Sequence, residues 1–352
     1  MEWERVKLRF APNLTVSFAD RDLALRQIEE IAERGTYPVY VIYGPEGCGK
    51  TALFRQVVKV LEALGYSVSM INPLGGEGDE RLVTSRDLKK FVSGVLSEIT
   101  GLHTERLIDL AVELLYRVVR LGRSRRIALL ADDVFQGIGL GRAEQLVKKL
   151  LNMIEYPSID YERIVVLISS SEGITRSRVG RHRWANIYIL WNMGRDGFRE
   201  LYSQVPDPKP EFDEVWRLCG GNPWVLSQLY TSGWRVDEVI HRISEGRRLN
   251  DFILRLTRKQ LEILKEAVND PDVLVESLRE ASGRDEKAEI GELIDKLVEL
   301  NLIIELWDRS YGYIDQPPPE RDPELGIGRY YAWQTPLHRE ALKRTINKAN
   351  QY

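Results

Sequence analysis

One octapeptide limits what this chain can fold into more than any other feature: Gly44-Pro45-Glu46-Gly47-Cys48-Gly49-Lys50-Thr51. It satisfies the pattern G-x-x-x-x-G-K-[ST]. Ahead of it lies a short apolar, β-branched run, Pro38 to Tyr43, which reads as a buried strand. Behind it, Thr51 to Leu64 has helical spacing and closes at Gly65. Glycines let successive backbone N–H groups turn toward phosphate oxygens with no Cβ in the way. Lys50 is expected to reach the β- and γ-phosphates of a nucleotide, and the Thr51 hydroxyl to ligate Mg2+. The helix that starts there offers its positive end to the anion. Gly44, Pro45, Glu46, Gly47, Cys48, Gly49, Lys50, Thr51 and Ala52 are therefore the candidate nucleotide-binding residues.

The rest of the chain alternates in the way such a loop requires. Residues 22–34 read as a helix ending at Gly35, Tyr66 to Ile71 as a second strand, and 86–99 and 104–121 as helices. Arg126 to Ala131 is a third apolar strand, 142–154 a helix, Ile164 to Ser169 a fourth strand and Asn186 to Trp191 a fifth. Strands alternating with helices imply a parallel sheet covered on both faces. After residue 194 short helices follow, at 195–204, 211–219, 223–231 and 235–246. Helices at 258–269, 272–281 and 288–300 lead into a strand, Leu302 to Trp307. A Pro/Gly-rich loop, Tyr330 to Gln334 and a helix from Pro336 complete the chain. Three helices followed by strand, loop and strand are the order of a winged helix-turn-helix. The Pro-rich loop is expected to be a mobile wing or insert.

Further candidate residues sit at strand ends. The third strand ends in Asp132 and Asp133. Asp132 is placed to bind Mg2+ in the manner of a Walker B aspartate, and Asp133 to position the attacking water; the plainer reading of the pair is an N-cap. The fourth strand ends in Ser169-Ser170-Ser171-Glu172, where Ser169 or Ser170 could sense γ-phosphate; a serine-rich turn is the alternative. Arg176, Arg178, Arg181 and Arg183 precede the fifth strand. Arg181 or Arg183 could project into a neighbouring subunit's site as a finger, or the loop could simply be a solvated basic segment.

With these residues in view, the chain resembles the archaeal ATPase family within the STAND/AAA-like branch of P-loop NTPases, related to the origin-recognition ATPases. Phe18-Ala19-Asp20-Arg21-Asp22 resembles that family's F-x-x-R-E segment, with Asp22 in place of Glu, and implies Arg21 near the adenine. Gly220-Gly221-Asn222-Pro223 resembles its G-G-x-P motif in a helical lid, which implies Pro223 against the nucleotide. The plainer reading of that motif is a helix C-cap followed by a loop proline. At the position after Asp132 the AAA type usually carries Glu; here Asp133 is one methylene shorter. The implied architecture is α/β: an ASCE/AAA-like P-loop sheet at 1–193, a helical lid at 194–256 and a winged helix at 257–352. The implied ligands are ATP or ADP with Mg2+.

Composition narrows the partners. The chain has 352 residues, 50 Lys+Arg against 53 Asp+Glu, a formal charge of −3, 2 Cys and 4 His. That excludes a globally basic nucleic-acid coat, a disulfide framework and an evident structural zinc site. No run approaches a membrane span and the mixed-charge start has no apolar h-region, so a cytoplasmic protein is expected. The arginine-rich, Cys-poor composition suits a thermophile or a GC-rich genome. The would-be recognition helix at 288–300 is acidic, so DNA is not expected there. Arg117, Arg120, Arg123, Arg125 and Arg126 form a basic cluster, read as a solvated helix end or a nucleic-acid contact. The leading expectation is a nucleotide-dependent switch with slow ATP hydrolysis. A DNA-associated ATPase of the replication-initiator kind and a nucleotide-regulated scaffold without turnover are the alternatives. A protein partner or a second copy would meet the chain through residues 176–183 or the winged helix.

Overall fold

The computed structural model describes residues 3–74, 82–84, 103–138, 140–171, 179, 183–306 and 312–349. In chain order its elements begin with a two-stranded sheet, β1 (Lys7–Ala11) and β2 (Leu14–Ser17), then α1 (Asp22–Arg34), β3 (Val39–Tyr43), α2 (Lys50–Ala63), β4 (Ser67–Ile71) and β5 (Leu82–Thr84). They continue with α3 (Thr104–Arg120), β6 (Arg126–Ala131), α4 (Val134–Ile138), α5 (Leu140–Glu155), β7 (Arg163–Ser170) and β8 (Ala185–Leu190). Every strand read from the sequence in this half is present. The helix expected at 86–99 lies outside the described residues. The β1–β2 pair and β5 were not expected. β1 alternates charged and apolar residues over only four positions, and β5 is only three residues long.

The chain divides into two compact units. The first is Met1–Lys7, Arg21–Gly44 and Lys50–Leu190; the second is Leu8–Asp20, Pro45–Gly49 and Trp191–Tyr352. The strands of the first unit are ordered β8-β3-β7-β6-β4-β5, with β5 antiparallel to β4 and the other pairs parallel. Ile127 to Ala131 and Val165 to Ile168 are buried at every successive residue. Alternation is lost because both faces are covered, as a parallel sheet needs. This is the P-loop NTPase fold. The chain leaving β3 runs past β7 and β6 to β4, while the chain leaving β7 returns past β3 to β8, so the two connections diverge at the carboxyl ends of β3 and β7. That is where open α/β sheets bind ligands. The register puts Tyr43 opposite Ser170 and Ala131 opposite Ile168, so β3 and β7 end level and β6 ends two residues short of them.

The second unit contains α6 (Arg195–Ser203), α7 (Phe212–Cys219), α8 (Pro223–Thr231), α9 (Val236–Gly246), α10 (Leu249–Leu254), α11 (Arg258–Ala267), α12 (Val273–Glu280) and α13 (Arg284–Glu299). Then come β9 (Ile303–Glu305), β10 (Tyr313–Ile314), β11 (Tyr331–Trp333) and α14 (Pro336–Ala349). One apolar cluster runs from Phe198, Val215 and Leu226 through Leu264 and Leu297 to Trp333 and Leu342. Residues 194–256 and 257–352 thus share a core. α13 begins four residues before the expected 288, because Gly283 caps a first turn of charged residues that carries no apolar signal. β9 and β11 pair antiparallel, with Trp333 opposite Ile303. Of the aromatic residues at these strands, Trp333 is buried, and its indole N–H donates to the Ala267 carbonyl at 3.2 Å.

The Pro-rich loop is tied down rather than loose. The buried Asp272 carboxylate accepts from the backbone N–H of Arg329 at 2.7 Å and of Tyr330 at 3.0 Å. Asp322 and Ile327 exchange backbone hydrogen bonds, and Trp333 N donates to Gly326 O at 2.9 Å. No described helix is long and apolar enough to cross a membrane.

Candidate functional site

In the first unit the site is built on three adjacent strand ends. Gly44 closes β3 and Lys50 opens α2; the Lys50 ammonium is buried and donates to the Gly44 carbonyl at 2.9 Å. Thr51 and Ala52 follow in the first turn, both half-buried. At the end of β6, Asp132 is buried, and its Oδ1 accepts from the Ser169 hydroxyl on β7. Its Oδ2 is also buried and has no hydrogen-bond partner among the described residues. Burial holds the Asp132 carboxyl above its ordinary pKa. The Ser169 hydrogen bond opposes that rise and the nearby Asp133 charge adds to it; the Thr51 hydroxyl and the Lys50 charge oppose it in turn. A buried carboxylate oxygen without a donor, next to a threonine hydroxyl, is the donor set a hard divalent cation uses. The residues present therefore fit Mg2+.

Asp133 is turned differently. It sits at a positive φ of 45°, a conformation Asp tolerates. Its N–H donates to Ser169 Oγ at 3.0 Å, and its Oδ1 accepts from Ser171 N at 3.1 Å and Ser171 Oγ at 2.8 Å. The three serines at the tip of β7 thus divide their work. Ser169 orients Asp132 and Ser171 holds Asp133. Ser170 is buried beside Tyr43 in the register. Ser171 was not singled out in the sequence, although the Ser-Ser-Ser run contained it. Arg21 is buried at a positive φ of 66°, directly before α1. Arg183 is exposed in the turn before β8, and Arg181 lies outside the described residues. Of the basic cluster, Arg117 pairs with Glu113 at 3.4 Å and Arg126 with Glu162 at 2.8 Å.

In the second unit lies the tip of the loop, Pro45–Gly49, together with the Gly-Gly-Asn-Pro segment. Gly220, at φ 57°, is the left-handed C-cap of α7. Gly221 has φ 79°, and a Cβ there would come within 2.0 Å of the Met193 carbonyl oxygen. Asn222 is the N-cap of α8, accepting from Val225 N at 3.1 Å, and Pro223 stands at the first helical position. So the motif is a helix stop and a helix start, as the plainer reading had it. It also reaches the loop. Asn222 Nδ2 donates to Glu46 O at 2.9 Å, and Trp224 N donates to Gly47 O at 3.2 Å. Gly47 has φ 78°, and a Cβ would lie 2.3 Å from the Trp224 Cβ, so no larger residue fits. The Glu46 side chain pairs with Arg247. Cys48 is buried, and its N–H donates to Pro45 O at 3.2 Å. Asn222 and Arg247 were missed as contacts of the loop.

A family model described as an ATPase domain predominantly from Archaea matches residues 18–229. The search of curated proteins gave no match. Similar solved structures include the ORC2 protein of Aeropyrum pernix in ADPNP–ADP complexes, at 16% identity and a TM-score of 0.47, covering 94% of this chain and 93% of that one. The Aeropyrum pernix ORC1 protein in complex with DNA matches at 17% identity and a TM-score of 0.36, with the same coverage. The replication initiator DnaA bound to AMPPCP and single-stranded DNA matches at 14% identity and 0.36, covering 79% of this chain and 86% of that one.

Proposed function

The chain belongs to the family of ATPase domains found predominantly in Archaea, and on that premise we propose that it binds ATP with Mg2+ and acts as a nucleotide-dependent switch that hydrolyses ATP slowly. The observation that carries this reading is Asp132. A buried carboxylate with a partnerless oxygen is costly unless a cation completes it. Lys50 would hold the β- and γ-phosphates, and Thr51 and Asp132 would hold the metal, which neutralises charge on the phosphates when bound. Gly44 to Gly49 and Ala52 would supply the backbone around the anion. Arg21 would stand at the base, Pro223 at the lid, and Ser170 would sense the γ-phosphate. Asp133 would orient the water. Its short side chain is already held by two bonds from Ser171, and that supports slow turnover.

The same bonds favour a second reading, a nucleotide-regulated scaffold without turnover. Phosphate release compared with an Asp132→Ala control separates the two: equal rates leave the scaffold. For binding itself, Lys50→Ala measured by calorimetry should lose at least about a hundredfold in ATP affinity; unaltered affinity would overturn the assignment.

Residues 257–352 would form a winged helix, supported by three helices followed by an antiparallel strand pair. DNA reading through α13 is not proposed. Glu286 pairs with Lys259, and Lys296 is taken up by Glu299 at 2.9 Å, so the helix offers little to phosphate. Arg183 and Arg181 are the residues through which a neighbouring copy could be met.

A further inference from the structure

Three buried side-chain amides converge on the tip of the phosphate-binding loop within the second unit. Gln334, directly after β11, accepts from Glu46 N at 3.0 Å through its Oε1. Its own backbone carbonyl accepts from Asn192 Nδ2 at 3.0 Å, and Asn192 Oδ1 accepts from Asn222 Nδ2 at 2.9 Å. Asn222 Nδ2 also donates to Glu46 O, which closes the circuit. All three side chains are almost completely buried, at 1% for Gln334, 4% for Asn192 and 0% for Asn222. Gln334 is itself fixed by the strand pair, because its N–H donates to Leu302 O at 2.9 Å.

The orientation of these bonds has a chemical meaning. In a trans peptide the C=O and the following N–H point in opposite directions. Asn222 takes the carbonyl of Glu46 and Trp224 N takes that of Gly47. The N–H of Gly47 is thereby turned the other way, while that of Cys48 is taken by the Pro45 carbonyl. A phosphate-binding loop works by presenting amides, and a carbonyl rotated inward would repel the anion. Closed amide networks of this kind are stiff, because each bond lost leaves a buried group without a partner.

We infer that Gln334, Asn192 and Asn222 form a latch that preorganises the phosphate-binding loop, so that Gln334 in the carboxy-terminal module is a positioning residue for nucleotide binding. The affinity part of this inference rests on the nucleotide-binding reading above; the loop-ordering part does not. By linkage, nucleotide bound at the loop must also tighten the segment that carries Gln334.

Two variants of the full chain test it. Gln334→Met keeps length and burial but removes the acceptor. Asn222→Asp keeps a good N-cap for α8 but sets an acceptor against the Glu46 and Asn192 oxygens. Each should speed backbone hydrogen exchange across residues 44–49 at least tenfold. Each should also weaken ATP affinity about tenfold by calorimetry. In the wild type, ATP should slow exchange at residues 330–338, and Gln334→Met should abolish that remote protection. Exchange at 44–49 equal to wild type in both variants would overturn the latch. Faster exchange with unaltered ATP affinity would overturn its role in binding. A wild type that binds no nucleotide would sink the functional reading instead, while the exchange measurement still decides whether the latch exists. A general loss of fold would show as faster exchange in β6 and β7 as well, and would overturn a specific role for the amides.

Discussion

Asp132 is a residue whose placement works against the stability of the fold. Its carboxylate is buried and one oxygen has no partner, so the folded chain carries an uncompensated polar atom. Asp132→Asn removes the charge at nearly constant shape. Thermal unfolding without metal should show unchanged or higher stability, by about 1 kcal/mol, while Mg2+-dependent tightening of ATP binding is lost. A destabilised variant with intact Mg2+ dependence would contradict this. Ser171 is the complementary case. Ser171→Ala removes one of two bonds on Asp133 Oδ1, worth about 1 kcal/mol, and frees the carboxylate those bonds occupy, so phosphate release should rise several-fold at unaltered ATP affinity. Asp132 was legible because an aspartate ending a fully apolar strand has few other reasons to be there. Ser171 was not, since three adjacent serines are indistinguishable until the strand register fixes which of them faces which carboxylate. Gln334 was wholly illegible: a glutamine after a short strand carries no signal, and its partner Glu46 is 288 residues away.

At the scale of elements, glycine and capping chemistry do most of the positioning. The Gly220 to Pro223 segment ends one helix and starts the next in four residues, and the same turn presents Asn222 and Trp224 N to the loop. Gly47→Ala should disturb this junction, since its Cβ has nowhere to go and its φ disfavours any side chain. Circular dichroism should be close to wild type while nucleotide binding falls by at least tenfold; normal binding would show that the loop can shift at little cost. The Pro-rich segment depends on a single carboxylate in the same way. Asp272→Ala should free the loop around Arg329 and Tyr330, lowering stability by about 2–3 kcal/mol and opening it to limited proteolysis. Parallel strands and long helices were readable from apolar runs and 3.6-residue periodicity. The clamp by Asp272 was not, because it joins a helix start to a loop 57 residues later. The six-residue α10 was also missed, being too short to show a period.

At the scale of the whole molecule, one titratable group links stability to pH. His338 is fully enclosed, and burial, aided by the positive charge of Arg247, lowers its pKa from 6.5 to about 3. Its backbone N–H donates to Thr335 Oγ1 at 3.2 Å, and that hydroxyl lies 2.8 Å from Nδ1. Between pH 6.5 and 3 the unfolded chain binds a proton that the native chain refuses. Stability is thus full above pH 6.5 and falls by about 1.4 kcal/mol per pH unit below it. Denaturant unfolding of wild type and His338→Gln between pH 5 and 7 checks this: the wild-type curve should slope more steeply. Parallel curves would mean that the ring is protonated in place. The single imidazole matters to the whole second unit because it sits in α14, which closes the core shared by residues on both sides of position 257.

The bond between Glu46 and Gln334 also sets an order of events during synthesis. The loop leaves the ribosome first, and the amide bonded to its tip follows 288 residues later. A nascent or truncated chain therefore displays the whole glycine-rich signature without the groups that orient it. A chain that stops short of residue 334 leaves the Glu46 N–H without this acceptor, so the signature and the contact that holds its tip are made at different times.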